Sequence, residues 1–194
     1  VSDLVRLSTK VTRITQDSKG VTAYWEDIPT GKTGQTTADW CVNTIPLPVL
    51  SQLDMQVGAP LKAAMKAVPY SGQVKIGLEM RSRFWEEKYS IYGGHSFTDQ
   101  AIGLISYPND KMHKDGPAVL LGAFARDAGG FMLGGMTPAQ RIEAALAQGS
   151  VFHPEEYRKE FMNGVSVAWS RIPWILGCTS RWSVPRSHTR RSPR

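Results

Sequence analysis

SGQVKIGLEMRSRFWEE, residues 71–87, decides how this chain is read. Val74, Ile76, Leu78 and Met80 alternate with Lys75, Gly77 and Glu79, the period of two expected of a half-buried strand. The strand runs into an aromatic and acidic patch, Phe84 to Glu87. Lys75 stands near the middle, on the face opposite Val74 and Ile76. Two readings fit it. Lys75 is either a solvated lysine on the wet side of the strand, or a lysine facing a water-filled cavity, where it handles protons or holds a water. Periodicity alone leaves both open.

Working outward, VTRIT (11–15) and VTAYW (21–25) flank the turn-rich QDSKG and predict a hairpin. A further strand is expected at about residues 38–45, stopped by Pro46 and Pro48. Leu61, Ala64, Met65 and Val68 fall at helical spacing. AIGLISYP (101–108) and AVLLGAFAR (118–126) are almost wholly apolar, as expected of central strands covered on both faces. Thr137, Pro138 and Gln140 form the start signal of a helix, with a capping box. HPEEYRKEF (153–161) predicts a second helix, and VSVAW (165–169) a last strand. Six or seven strands mixed with three helices make the fold class α+β.

Composition narrows the functional classes. The chain has 194 residues, 41% hydrophobic and 21% charged, a globular balance. Its net charge of +6 is concentrated at one end. Residues 181–194 hold five arginines and no acid, and removing those five charges from the +6 leaves +1 for residues 1–180. A nearly neutral body argues against a nucleic-acid-binding face. Cys41 and Cys178 lie far apart, neither a disulfide framework nor a metal pattern, which fits a reducing, cytoplasmic setting. No apolar run of about 18 residues predicts a membrane span. VSDLVRLSTK lacks the apolar middle of a secretory signal.

Self-contained chemical motifs are missing. GKT (31–33) lacks the glycine a phosphate loop needs five residues before Gly31, where Glu26 stands. GGFMLGG (129–135) lacks the following Lys and Ser/Thr, so both stretches read as turns. No two glycines stand two apart, so a dinucleotide GxGxxG is absent from this sequence. His95, His113, His153 and His188 stand at no metal-ligand spacing and read as surface histidines.

Four ordered stretches carry a resemblance: ADWCVNTIPLPVLSQL, VPYSGQVKIGLEMRSRFWEE, YGGHSFTDQAIGLISYP and GVSVAWSRIPWILGC. Together they resemble the flavin-dependent amine oxidase family, in particular its bacterial L-amino-acid oxidase and monooxygenase branch, from about residue 5 to residue 182. The resemblance implies a catalytic Lys75, holding a water against the reactive ring nitrogen of the flavin. It implies that Trp169 lies near the flavin ring and that the Val11 backbone touches the adenine end of FAD. Cys178 falls where some mitochondrial members attach flavin covalently, a role not carried over because the bacterial branch is non-covalent in type. Thr179 stands where amine-specific members place an aromatic cage residue, which weakens the case for simple monoamines. Arg126 and Arg171 are candidates for a substrate carboxylate, each with a structural alternative.

The implied layout has residues 1–70 as FAD-domain strands with a connecting helix and residues 71–170 as a substrate domain with a mixed sheet. Residues 171–180 return toward the FAD domain, and 181–194 form a basic, disordered tail. The family's GxGxxG half is expected before residue 1 and its last FAD segment after Trp182. The chain is therefore expected to be a piece of an FAD-dependent oxidase of L-amino acids or amines, in which molecular oxygen reoxidises the flavin and hydrogen peroxide is released. An altered reading frame is one account of the tail, and an RNA-binding or localisation tail another. The alternative of another class is a non-catalytic remnant or interaction module that binds no flavin. Oligomeric state is left open.

Overall fold

A computed structural model describes residues 2–180. The basic tail, with His188, lies outside the described residues. The chain divides into two compact units between Val68 and Pro69.

In the first unit, β1 (Thr9–Asp17) and β2 (Gly20–Asp27) form the expected hairpin, closed by Ser18 and Lys19. The Asp17 carboxylate accepts from the Lys19 N–H at 2.7 Å, and Gly20 supplies the left-handed φ of 141° that follows. β3 (Thr33–Ala38) pairs antiparallel with β2, and the two-residue β4 (Asp54–Met55) pairs parallel with β1, giving the order β3-β2-β1-β4. The strand expected at 38–45 lies earlier in the chain, as β3. Its pairing ends at Ala38 opposite Val21, because β2 begins at Gly20 and offers nothing further to pair with. Pro46 and Pro48 start a helix as well as ending extended chain: α1 spans Leu47–Leu50. α2 (Ala59–Ala67) is the expected amphipathic helix, with Met65 buried and Leu61 exposed. Leu50, Met55 and Met65 form the small core of this unit.

The second unit is built on a five-stranded antiparallel sheet in the order β6-β7-β8-β5-β9. These strands are β5 (Gln73–Met80), β6 (Gly94–Phe97), β7 (Leu104–Tyr107), β8 (Ala118–Arg126) and β9 (Phe161–Ala168). β5 alternates as predicted: Val74, Ile76, Leu78 and Met80 are fully buried and Lys75 is exposed. α5 (Pro138–Gly149) packs on β9, β5 and β8, and its Thr137 capping box is formed in full.

The aromatic and acidic end of the quoted stretch is no surface patch. Phe84 and Trp85 sit in the core as α3 (Phe84–Glu87), and Arg83 and Glu86 form a buried ion pair at 2.6 Å. That pair pins the 108–113 loop, since Arg83 donates to Asp110 O at 2.8 Å and Glu86 accepts from the His113 N–H at 2.8 Å. Burial raises the Glu86 carboxyl, but hydrogen bonds from the His113 N–H and Arg83 outweigh it and hold the group below its ordinary value.

Three further expectations are corrected. GGFMLGG is no turn but most of α4 (Asp127–Gly134). Its glycines are packing devices: a Cβ on Gly129 would strike the Ala101 carbonyl, and one on Gly130 the Gly72 carbonyl. HPEEYRKEF forms successive turns, not a helix. The chain there must sink His153 and Tyr157 into the core, and it is then tied by Arg81 N–H to Glu160 O at 2.8 Å as β9 begins. β8 is central in the sheet, but it is covered on one face only: Leu120, Ala123 and Ala125 are buried, whereas Val119 is 58% exposed. The expectation of two covered faces came from its apolar composition, which a bulge opposite Ile76 and Gly77 distributes unevenly.

Candidate functional site

The uncovered face of the second sheet carries Lys75. Register places it opposite Phe124 of β8 and Val167 of β9. Its Nζ lies 4.7 Å from the centre of the Phe124 ring, a cation–π distance. Lys75, Leu104, Leu121, Phe124 and Arg126 line an open cavity of about 760 Å³, with His95, Phe97 and Asp99 among its other walls. That volume falls within the roughly 300–1,000 Å³ of small-molecule sites, and the mostly apolar walls with a few polar groups match their usual character. The sequence reading left Lys75 between solvent and cavity; the geometry puts it on an exposed cavity floor.

Arg126 lies in the same cavity, with its guanidinium 4.1 Å from the same ring. Arg171 is elsewhere, its Nε donating to Gly134 O at 3.2 Å, a structural contact at the end of α4. Cys178 and Thr179 return to the start of β5. The Ser71 N–H donates to Thr179 O at 3.0 Å and the Cys178 N–H to Ser71 O at 3.1 Å, while the Cys178 thiol contacts the Gln73 side-chain carbonyl. Gln73 precedes Lys75 by two residues on the same strand, so this contact ties the start of β5 to a segment 105 residues away in sequence.

Trp169 follows β9 in a short 3-10 turn, Trp169–Arg171, two residues after the residue that pairs with Lys75. Its indole Nε1 is buried and has no hydrogen-bond partner among the described residues, a donor that needs an acceptor. Val11 belongs to the other unit. It sits opposite Trp25 just before a bulge in β1, and β4 pairs with β1 only at Arg13 and Ile14. The other edge of the Val11 backbone is therefore unpaired by any strand among the described residues. The structure thus gathers Lys75 and Arg126 into one cavity, and holds Val11 in a separate unit.

His153 corrects the surface-histidine reading. It is 2% exposed, its Nε2 lies 2.7 Å from Tyr107 Oη, and burial pushes its imidazole below the ordinary value. Phe124 and Arg126 are site residues that sequence reading alone did not join to Lys75. Their only sequence signal is a two-residue spacing at the end of an apolar strand, and it acquires meaning once the β5–β8 register is known.

The family profile described as flavin containing amine oxidoreductase matches residues 2–194. The match runs past Trp182, beyond the point where the sequence reading ends the resemblance. A putative L-amino-acid oxidase, YobN, of Bacillus subtilis (strain 168) is 28% identical over 172 residues, covering 87% of this chain and 36% of the relative. An L-amino acid oxidase of Cerastes cerastes is 31% identical over 134 residues, covering 68% and 26%. The flavin-dependent L-tryptophan oxidase RebO of Lentzea aerocolonigenes is 31% identical over 148 residues, covering 75% and 31%. Among solved structures, cyclohexylamine oxidase from Brevibacterium oxydans IH-35A superposes with a TM-score of 0.68 at 17% identity, over 87% of this chain and 36% of that one. At that identity the likeness speaks for the fold. The chain spans about a third of the length of the curated relatives it matches. On the extent of the profile match, the chain belongs to the flavin-containing amine oxidoreductase family.

Proposed function

We propose that this chain contributes the lysine-bearing sheet of an FAD-dependent oxidoreductase that oxidises the C–N bond of L-amino acids or amines. The observation that carries the reading is Lys75, which projects from the middle of β5 into an apolar cavity, over Phe124. When bound, FAD would supply the two-electron acceptor for oxidation of the carbon that bears the amine, with dioxygen as its reoxidant and hydrogen peroxide as the reduced product.

The residues present fit such a group. Lys75 holds a water by donating an N–H to its oxygen, and the Phe124 ring beneath keeps the ammonium at a fixed height above the sheet. The apolar floor of Leu104, Leu121 and Phe124 limits bulk water around the reacting carbon. The unpartnered Trp169 Nε1 offers a buried donor to a polar group of the cofactor. The open edge of β1 at Val11 leaves a backbone group free for an adenine contact. On this reading residues 1–70 are cofactor-domain strands with a connecting helix, residues 71–170 are the substrate domain and residues 171–180 lead back toward the cofactor domain; the division of the chain between Val68 and Pro69 supports the first of these boundaries.

The test is a chimera in which this chain replaces the matching stretch of the Bacillus relative. It is expected to purify yellow and to release peroxide from L-amino acids. A folded but colourless chimera overturns the proposal in favour of a module that binds no flavin.

A further inference from the structure

Ser96, Tyr107 and His153 form a hydrogen-bonded line behind one wall of the Lys75 cavity. The Ser96 hydroxyl lies 3.0 Å from Tyr107 Oη, which lies 2.7 Å from His153 Nε2. The two ends of the line differ in how firmly they are held. His153 is buried in the turns after α5, with the rings of Tyr89, Phe84 and Tyr157 centred 4.5, 5.2 and 6.1 Å from its own. β6, which carries Ser96, is a four-residue edge strand that pairs among the described residues with β7 alone. Its Gly94, His95 and Phe97 are exposed, and an edge strand with so little burial opens easily.

The period of two sorts the side chains of both strands. His95 and Phe97 of β6, with Leu104 and Ser106 of β7, face the cavity. Ser96 points the other way, where Ile105 and Tyr107 are buried. Among the described residues, the Ser96–Tyr107 bond is the side-chain hydrogen bond that ties β6 to the core. The Tyr107 hydroxyl has one proton and makes two bonds, so it donates to one neighbour and accepts from the other. Burial pushes the phenol above its ordinary value, which keeps that proton in place. A phenylalanine ring at this position would fill the same space and hold neither neighbour.

We propose that Tyr107 is a positioning residue for the reaction at Lys75: it carries the fixed position of His153 to Ser96, and so sets where the β6 wall of the cavity stands. The assignment rests on the proposed function only in making the occupant of that cavity a molecule that is oxidised.

The first test needs no flavin. Amide order parameters of the 194-residue chain are measured by nitrogen-15 NMR relaxation. Those of His95, Ser96 and Phe97 are expected near the rigid value of about 0.85, and to fall below about 0.6 in Tyr107→Phe and in Ser96→Ala. Ser96→Thr, which keeps the hydroxyl, is expected to restore them, and β5 and β8 to stay rigid throughout. The double variant is expected to be no looser than Tyr107→Phe alone, because both changes remove one bond. Unchanged order parameters in β6, equal loosening of β5 and β8, or further loosening in the double variant overturns the proposal. Ser96→Ala changes a half-buried edge position, so it keeps the test open if Tyr107→Phe fails to fold. In the flavin-loaded chimera, Ser96→Ala is expected to raise KM about fivefold with kcat and reoxidation by oxygen within about twofold, the mark of a loosened wall beside an intact Lys75. An active chimera with a loosened β6 and an unchanged KM overturns the positioning role and leaves the proposed function standing. A loosened β6 beside a colourless chimera overturns the proposed function and leaves Tyr107 as the anchor of the wall.

Discussion

Lys75 is exposed between two neighbours, Val74 and Ile76, that have no exposure at all. Its replacement therefore removes chemistry and little packing. Lys75→Met is predicted to change the stability of the chain by less than about 0.5 kcal/mol, read from a urea midpoint. In the flavin-loaded chimera the same change is predicted to slow reoxidation by oxygen on the order of 10²-fold, the lower range for a positioned proton-handling group. Stopped-flow absorbance at 450 nm measures it, and an unchanged rate removes Lys75 from the reaction. His153 behaves in the opposite way, as a structural group whose charge matters. Burial holds its imidazole below the ordinary value, so between that lowered value and about 6.5 the unfolded chain binds a proton that the folded chain does not. Stability contributed by neutral His153 is thus full above about pH 6.5 and is lost as pH falls through that window. The urea midpoint is predicted to drop between pH 7 and pH 5, and His153→Gln to flatten the drop. An equal slope in both proteins would place the acid sensitivity elsewhere.

Elements whose signals are local were legible, and elements made by partners were not. Thr137 and Gln140 lie three apart and satisfy each other's backbone donors, so the start of α5 could be read without knowing what it packs on. Thr137→Ala is predicted to cost about 1 kcal/mol and Thr137→Ser much less, measured by thermal or urea unfolding. The β1–β2 hairpin was legible for the same reason. β3 was misplaced because β-branched and aromatic residues at 38–45 satisfy a propensity rule, whereas a strand exists only where another offers it hydrogen bonds. α4 was read as a turn because its glycines look like breakers; two of them are there to let the helix approach the Ala101 and Gly72 carbonyls. The 153–161 segment has helical composition, yet Tyr157 must enter the core beneath Gly149 and Gly122. Gly149→Ala places a methyl against the Tyr157 ring, and is predicted to destabilise by about 1–3 kcal/mol, as overpacking does.

Across the whole molecule, the two units differ in how much they bury. The second holds a continuous core that includes the fully buried Trp85, Tyr157, Ile76, Leu78, Met80 and Leu120, whereas the first relies on Leu50, Met55 and Met65 with partly buried neighbours. Each fully buried large aliphatic or aromatic side chain contributes roughly 1.5–3 kcal/mol, so the second unit is the more resistant to opening. The position of Lys75 follows from that inequality: the strand that carries it is the most deeply anchored one in the structure, and only its outer face is open. A site needs such a platform, since its groups must hold position while ligands exchange. That openness was beyond reach from sequence, because β8 is apolar on both faces and only the sheet order and bulge say which face lacks a cover. Hydrogen exchange is predicted to separate the units. Amides of β5, β8 and β9 should be protected at least 10²-fold more than those of β2 and β3, a gap of about 2.7 kcal/mol in opening free energy. Equal protection of β2 and β5 would mean that the two units unfold as one, and that the platform under Lys75 depends on residues 1–68 as much as on its own core.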